Sequence, residues 1–441
     1  MSKKIGMISL GCPKNQVDAE VMLSKLSEGG FDIVNDPAEA DLIIVNTCGF
    51  IESAKRESIE NILDMISYKE DFPAKKVLVT GCLAERYRSE IFEEIPEVDG
   101  VVGIGANGDI CEICEKILGG DKTELYPPKD CLQIEGGRIL TTPSYTAYLK
   151  IAEGCSNHCT YCAIPSIRGE YRSRSSESIL AEAKRLAAEG VKELIVVAQD
   201  TTRYGEDLYG KNALVPLLKA LSQIEGIEWI RLLYLYPERI DDALIDEIAN
   251  NEKIVKYLDV PIQHCSENVL KRMNRHGNRE VLTALFRKLR EKIPGVVIRT
   301  SLIAGFPGET EEEFDELCSF AEEMRFERMG CFAYSEEEGT PAAKLDGMLE
   351  PEERERRAEI INDLQNEILD SINESLIGER LDVIVEGYDG YTDVYFGRTY
   401  MDAPEIDTQI SFTCGYNLAD GDIVRVEVIN VVDGELTGEV V

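Results

Sequence analysis

Three cysteines stand together in Gly154-Cys155-Ser156-Asn157-His158-Cys159-Thr160-Tyr161-Cys162, spaced C-x3-C-x2-C. Thiolates this close can hold three irons of a 4Fe-4S cluster and leave the fourth iron without a protein ligand. An open iron binds a small molecule, and chemistry starts there. Two other uses of the run are weaker. A structural zinc site takes four ligands and would need His158 or a distant partner. A disulfide framework does not suit a long chain with 13 cysteines and no export signal to be read at its start.

A second triad is spread along the sequence. Cys12 lies in Leu10-Gly11-Cys12-Pro13-Lys14-Asn15, Cys48 in Val45-Asn46-Thr47-Cys48-Gly49-Phe50, and Cys82 in Thr80-Gly81-Cys82-Leu83-Ala84-Glu85. Each follows an Ile/Val-rich run that reads as a buried parallel strand. Ligands of open α/β sheets bind outside the carboxyl ends of the strands, so the three thiols should converge on one crevice. Gly11, Gly49 and Gly81 would let the backbone approach closely there. One buried free cysteine is unremarkable. Three in equivalent places point to a second three-thiolate cluster. Cys111 and Cys114 form a C-x2-C pair inside a predicted helix, without a second pair, and read as structural. Cys131, Cys265, Cys318, Cys331 and Cys414 show no partner pattern.

The elements that must position these triads fall into three groups. Residues 1–118 alternate strands at 4–10, 42–46, 76–80 and 100–104 with helices, the pattern of a doubly wound α/β domain. Residues 119–143 carry Gly119-Gly120, Pro127-Pro128 and Gly136-Gly137 and read as a linker. Residues 144–375 alternate again, with strands at 147–151, 193–198, 229–235, 257–261, 296–303 and 328–332, and helices beginning near 176, 214, 241, 281 and 311. Six such units predict a partial (β/α)6 barrel with its site at the carboxyl ends of the strands. Gln199-Asp200, Gln263-His264, Arg299 and Gly305-Phe306-Pro307-Gly308-Glu309 lie along or just past those strands. The guanidinium of Arg299 matches a carboxylate. The run Gly305–Glu309 also reads as a tight turn before an acidic helix start. His264 reads as a satisfied hydrogen-bonding residue sooner than a proton carrier. A helix over 351–376 precedes a last unit, 376–441, whose short strands predict a small antiparallel β-barrel.

The string KIAEGCSNHCTYCAIPSIRGEYRSR, from Lys150 to Arg174, resembles the radical S-adenosylmethionine (SAM) methylthiotransferases. Tyr161, the aromatic residue before the last cysteine, belongs to that motif. SLGCPKNQVDAE, NTCGFIESAKRESI and GCLAERY resemble the amino-terminal domain of the same family, and residues 376–441 resemble its closing TRAM domain. The wording is closest to the ribosomal protein aspartate methylthiotransferase family. The transfer-RNA branch usually reads Gln-Met where Pro13-Lys14 stand here.

The resemblance implies two 4Fe-4S clusters and SAM as cofactors. Cys155, Cys159 and Cys162 would hold the catalytic cluster that cleaves SAM to a 5′-deoxyadenosyl radical, and Cys12, Cys48 and Cys82 the auxiliary cluster that carries sulfur. Tyr161, Gln199, Arg299, Gly305 and Glu309 would contact SAM. The implied reaction converts C–H to C–S–CH3 at the β-carbon of an aspartate of small-subunit ribosomal protein twelve. It needs an electron donor such as flavodoxin or ferredoxin. One rival is the same chemistry on a transfer-RNA adenosine. Another is a non-catalytic iron–sulfur sensor, which needs no SAM pocket.

Composition narrows the partners. Lys+Arg number 47 against 83 Asp+Glu, a net charge of −36. No apolar run reaches the length of a membrane span, and free cysteines at this density suit a reducing cytoplasm. From Leu376 to Val441 there are three basic and 14 acidic residues, a net of −11 in 66 residues. Such a unit repels phosphates and attracts a basic protein. Asp389, Asp393, Asp402 and Glu405 are the acids expected on its surface.

Overall fold

The computed structural model describes residues 2–432 and 434–441. Toward the amino terminus, six parallel strands pair in the order Asp32–Val34, Lys4–Ser9, Leu42–Thr47, Lys76–Gly81, Gly100–Val102, Thr123–Leu125. Leu42–Thr47 is buried at every residue, as a strand covered on both faces must be. One face packs Ile5, Leu42, Ile44 and Leu78 on Met22, Leu26 and Ile113. The other packs Ile43, Val45, Val77 and Val79 on Ile62 and Met65. Helices therefore cover both faces, and the sheet is doubly wound. The sequence showed four of its strands. The two missed ones, Asp32–Val34 and Thr123–Leu125, are edges of three residues each, too short to show a period. Thr123–Leu125 lies in the stretch read as linker, so that stretch begins as part of the sheet. The strand order reverses between Lys4–Ser9 and Leu42–Thr47, the place where sheets of this kind open a binding crevice.

A second parallel sheet runs Thr146–Lys150, Glu193–Val197, Trp229–Leu232, Ile254–Asp259, Val297–Ala304, Arg328–Ala333 in sequential order. Helices Ser176–Ala188, Leu214–Ser222, Asp242–Asn250, Arg279–Lys292 and Glu311–Met324 connect its strands. Ser175, Asp241, Asn278 and Thr310 cap four of these helices by accepting a backbone N–H with their side chains. Leu149, Val196, Leu232 and Leu258 face the helices, against Leu186, Leu218, Ile248 and Phe286. The inner face carries Tyr148, Ile195, Trp229, Tyr257 and Val297. This is the six-stranded partial barrel expected from the sequence.

The last unit closes that inner face. Its strands Arg380–Asp389, Val394–Thr399, Ile410–Thr413, Glu435–Val440 and Ile423–Val432 form a closed barrel. Four pairings are antiparallel, but Ile410–Thr413 runs parallel to Glu435–Val440, which corrects the all-antiparallel expectation. Val385, Met401 and Phe412 share one core with the inner face of the larger barrel. Charges lock the contact: Arg398 pairs with Glu193 at 2.7 Å and Arg328 with Asp402 at 2.5 Å, while Tyr257 donates to Asp407 at 2.6 Å. Asp402 is thus a buried docking residue and not the surface acid it was expected to be.

Candidate active site between two cysteine triads

The dispersed triad meets at the crevice of the first sheet. Gly11 makes this possible, with φ at +90° and so little room that an added Cβ would stand 2.9 Å from the Cys48 sulfur. Pro13 begins the helix Pro13–Glu28 directly after Cys12. Asn15 ties the two strand ends together: its amide donates to the carbonyl of Leu10 at 2.8 Å, and Asn46 donates to the carbonyl of Asn15 at 2.9 Å. Cys82 opens a short helix, with Gly81 at φ +93° before it. Burial pushes the Cys82 thiol up to about 12, and Cys48 and Cys12 beside it add to the rise. Burial also raises Cys48. Cys12 goes the other way: burial opposes its thiolate, but Lys14 and Arg168 outweigh that and hold the thiol below its ordinary value.

The compact triad lies in a loop after the short strand Ala152–Glu153. Backbone bonds hold the loop at both ends, Cys155 donating to the carbonyl of Gly169 at 3.1 Å and Thr160 to that of Met273 at 3.0 Å. Asn157 donates to Asp200 at 2.8 Å, which hangs the loop from the segment past Glu193–Val197. Cys159 and the Tyr236 hydroxyl are 2.9 Å apart. Burial pushes the Cys155 thiol up to about 11, with Cys159 near it, and raises Cys162, which feels both Cys159 and Cys155. Each triad is therefore one electrostatic group of three thiols.

A buried ion network joins the two triads. Arg168, six residues past Cys162, reaches out of the larger barrel domain into the first. Its guanidinium donates to Asp18 at 2.5 Å, to Asn15 at 3.0 Å, to the Cys82 sulfur at 3.3 Å and to Glu153 at 3.3 Å. Lys150 also pairs with Asp18, and with Glu153 at 2.8 Å. Burial works against the charge of Glu153, yet Lys150 and Arg168 hold its carboxyl down at about 2. The other oxygen of Glu153 accepts from the Gly154 amide at 3.1 Å. A chain of contacts thus runs from Cys82 through Arg168 and Glu153 to the residue before Cys155. Sequence reading missed this network. Its one local sign was Lys150 and Glu153, three apart in an apolar stretch beside the cysteine motif.

The other expected residues fall in several places. Tyr161 is packed against the barrel core, with Arg275 3.4 Å from its hydroxyl. Gln199 donates to Glu153 at 3.0 Å, and its buried carbonyl oxygen has no partner. Arg299 lies early in its strand and donates to Asp259 at 2.9 Å, with Asp407 of the last unit at 3.8 Å. Gly305 stands at φ +73° against Arg354 of the helix Pro351–Ser375. The buried carboxylate of Glu309 accepts from the Gly305 amide at 3.0 Å and from Arg357 at 2.8 Å, with the ring of His264 at 3.5 Å. The turn reading of Gly305–Glu309 therefore holds, and Glu309 braces it. Cys111 donates to the carbonyl of Lys25 at 3.3 Å, and Cys114 is fully buried, as structural cysteines should be.

The donor sets fit iron–sulfur clusters. Among the described residues, no three His, Cys, Asp or Glu side chains converge on a point the size of one metal ion. Three thiolates that each take a different iron of a cluster need no such convergence. Cluster ligands bind as thiolates, so converting thiols to ligands would release protons on loading.

Comparison with known proteins agrees with this layout. Residues 4–103 match the uncharacterized protein family UPF0004, residues 149–321 the radical SAM superfamily, and residues 377–441 the TRAM domain. The chain is 51% identical to the ribosomal protein uS12 methylthiotransferase RimO of Acetivibrio thermocellus, over 100% of this chain and 99% of that one. It is 51% identical to the RimO of Caldanaerobacter subterraneus subsp. tengcongensis, over 99% of this chain and 100% of that one. Among solved structures it resembles the radical SAM methyltransferase TsrM of Kitasatospora setae. The TM-score is 0.59 and the identity 16%, over 78% of this chain and 77% of that one, a likeness of fold alone. With two cysteine triads joined across one interface and full-length relatives at this identity, the chain belongs to the RimO family of radical SAM methylthiotransferases.

Proposed function

We propose that this protein methylthiolates the β-carbon of an aspartate in the small-subunit ribosomal protein uS12. When bound, the two 4Fe-4S clusters supply a radical from SAM and a sulfur atom for delivery. The observation that carries the reading is the Arg168 network. It ties Cys82 of one three-thiol site to Glu153, two residues before Cys155 of the other, which supports a substrate that is served by both. Cys155, Cys159 and Cys162 would hold the SAM-cleaving cluster, and Cys12, Cys48 and Cys82 the auxiliary one. The unpartnered oxygen of Gln199 would be free to accept from a polar group of SAM, and Tyr161 would wall the pocket. Arg299 serves by fixing Asp259 and Asp407 at the inner face. Gly305 and Glu309 shape the turn behind the adenosine.

The surface of the last unit supports a basic protein as substrate. Of its three arginines, Arg398 is buried on Glu193 and Glu386. Arg380 and Arg425 reach solvent already paired with Glu427 and Asp382. Among the described residues no unpaired cation is left there to grip an RNA phosphate, which disfavours the transfer-RNA rival. No helix among the described residues is long and apolar enough to cross a membrane. We place the protein in the cytoplasm, reduced by a flavodoxin- or ferredoxin-type donor. The test is anaerobic incubation of the iron-loaded, reduced protein with SAM, uS12 and transfer RNA, followed by mass spectrometry. A methylthio group on an aspartate of uS12 is the expected result. Methylthiolated adenosine with uS12 unmodified would overturn the reading.

A further inference from the structure

Most cations around the two triads are already engaged. Arg168 and Lys150 share Asp18 and Glu153. Arg299 pairs with Asp259, Arg203 and Arg239 with Glu206, and Arg86 with Glu337. Arg275 donates to the carbonyl of Pro261 and lies near the Tyr161 hydroxyl. Lys14 is different. It is 7% exposed, and among the described residues no carboxylate pairs with it. Its ammonium stands 3.3 Å from the centre of the Tyr234 ring, with the Cys12 thiol beside it and Arg168 behind. A ring face steadies an ammonium but brings no negative charge, so the Cys12 sulfur is the one anionic group beside this buried cation, and among the described residues no carboxylate pairs with it.

Its place gives a buried cation without a carboxylate partner its meaning. Lys14 is the second residue of the helix that starts after Cys12. Tyr234 lies just past the strand Trp229–Leu232, at the end of the barrel where sites form. Tyr234 holds φ at +62° and donates its amide to Asp259 at 2.9 Å, so the ring is fixed where Lys14 crosses from one domain to the other. Lys14 thus lies between the auxiliary triad and the mouth of the larger barrel.

We propose that Lys14 receives the side-chain carboxylate of the target aspartate and sets the preference for an acidic substrate side chain. The inference rests on the proposed uS12 reaction. The carbon to be sulfurated carries that carboxylate directly. A cation beside Cys12 that holds the carboxylate therefore also places the β-carbon next to the auxiliary site. Lys14 is a specificity and positioning residue in this account.

The test compares the affinity of the iron-loaded, full-length protein for uS12 and for uS12 whose target aspartate is asparagine. The wild-type protein should prefer the aspartate form by about 10- to 100-fold, the range of a charge-assisted hydrogen bond. Lys14→Met should bind both forms alike, at about the affinity of wild type for the asparagine form. Lys14→Arg, which keeps the charge, should restore a preference. Iron is counted on every sample. An undiminished preference in Lys14→Met overturns the proposal. So does loss of half the iron in that variant, because a substrate anchor is not needed for loading. If wild type leaves uS12 unmodified in a parallel turnover assay, the uS12 reading itself has failed.

Discussion

Arg168→Met removes the centre of the interdomain network and nothing at the surface. The side chain is almost wholly buried. Its removal deletes hydrogen bonds to Asp18, Asn15, Cys82 and Glu153. In the native network two carboxylates face two cations, Arg168 and Lys150. The variant leaves one buried negative charge in excess. Breaking a buried pair in this way costs about 3–5 kcal/mol. Lys150 still touches both carboxylates, which sets the expected loss at about 3 kcal/mol. For cooperative units of 150–250 residues that lowers Tm by about 6–12 °C. Calorimetry of the iron-free chain isolates this term from cluster binding. The control is Arg425→Met, which breaks a pair whose side chains are 54% and 51% exposed, and should cost less than about 1 kcal/mol. An Arg168→Met transition within the range of that control would refute the reasoning, because the network would then hold nothing together.

Two further predictions concern the docking of the last unit and its surface. Burial alone would push Glu193 up, but Arg398 and Arg231 win and hold its carboxyl at about 2. A depressed carboxyl stabilises above its unfolded value near 4.5 and loses that contribution as pH falls to about 2, here about 3 kcal/mol. Urea unfolding at a series of pH values should show this loss, and Glu193→Gln should flatten the profile by the same amount. An equal acid slope in both proteins would contradict it. Changing Asp389, Asp393 and Glu405 to lysine should slow uS12 modification and weaken its salt dependence while SAM cleavage continues. An unchanged rate at low salt would remove the charge of this unit from substrate capture.

The chemistry was legible where residue type and spacing carry it. Cys155, Cys159 and Cys162 are read from nine consecutive residues. Cys12, Cys48 and Cys82 were legible because each follows a run that only a buried parallel strand explains. The six strands of the larger barrel are long enough for their apolar runs to show. The short edges Asp32–Val34 and Thr123–Leu125 are not. Burial of charge was the least legible feature. Asp402 reads as one more surface acid, yet it sits under Arg328 because its turn faces the larger barrel. Asp18, Arg168 and the pair Lys150 and Glu153 look like ordinary charges in separate segments, and only the docking of the two domains brings Asp18 to the other three. Lys14 follows the same logic: nothing in its neighbours announces that it would lie over Tyr234.

The most direct measurement of the central claim counts iron and SAM cleavage in two triple variants. Fully loaded protein should carry about eight irons, four in each cluster. Alanine at Cys155, Cys159 and Cys162 should remove about half the iron and all SAM cleavage. Alanine at Cys12, Cys48 and Cys82 should also remove about half, yet leave SAM cleavage running with no methylthiolated uS12. Full iron content in the second variant, or methylthiolation by it, would contradict the two-cluster account.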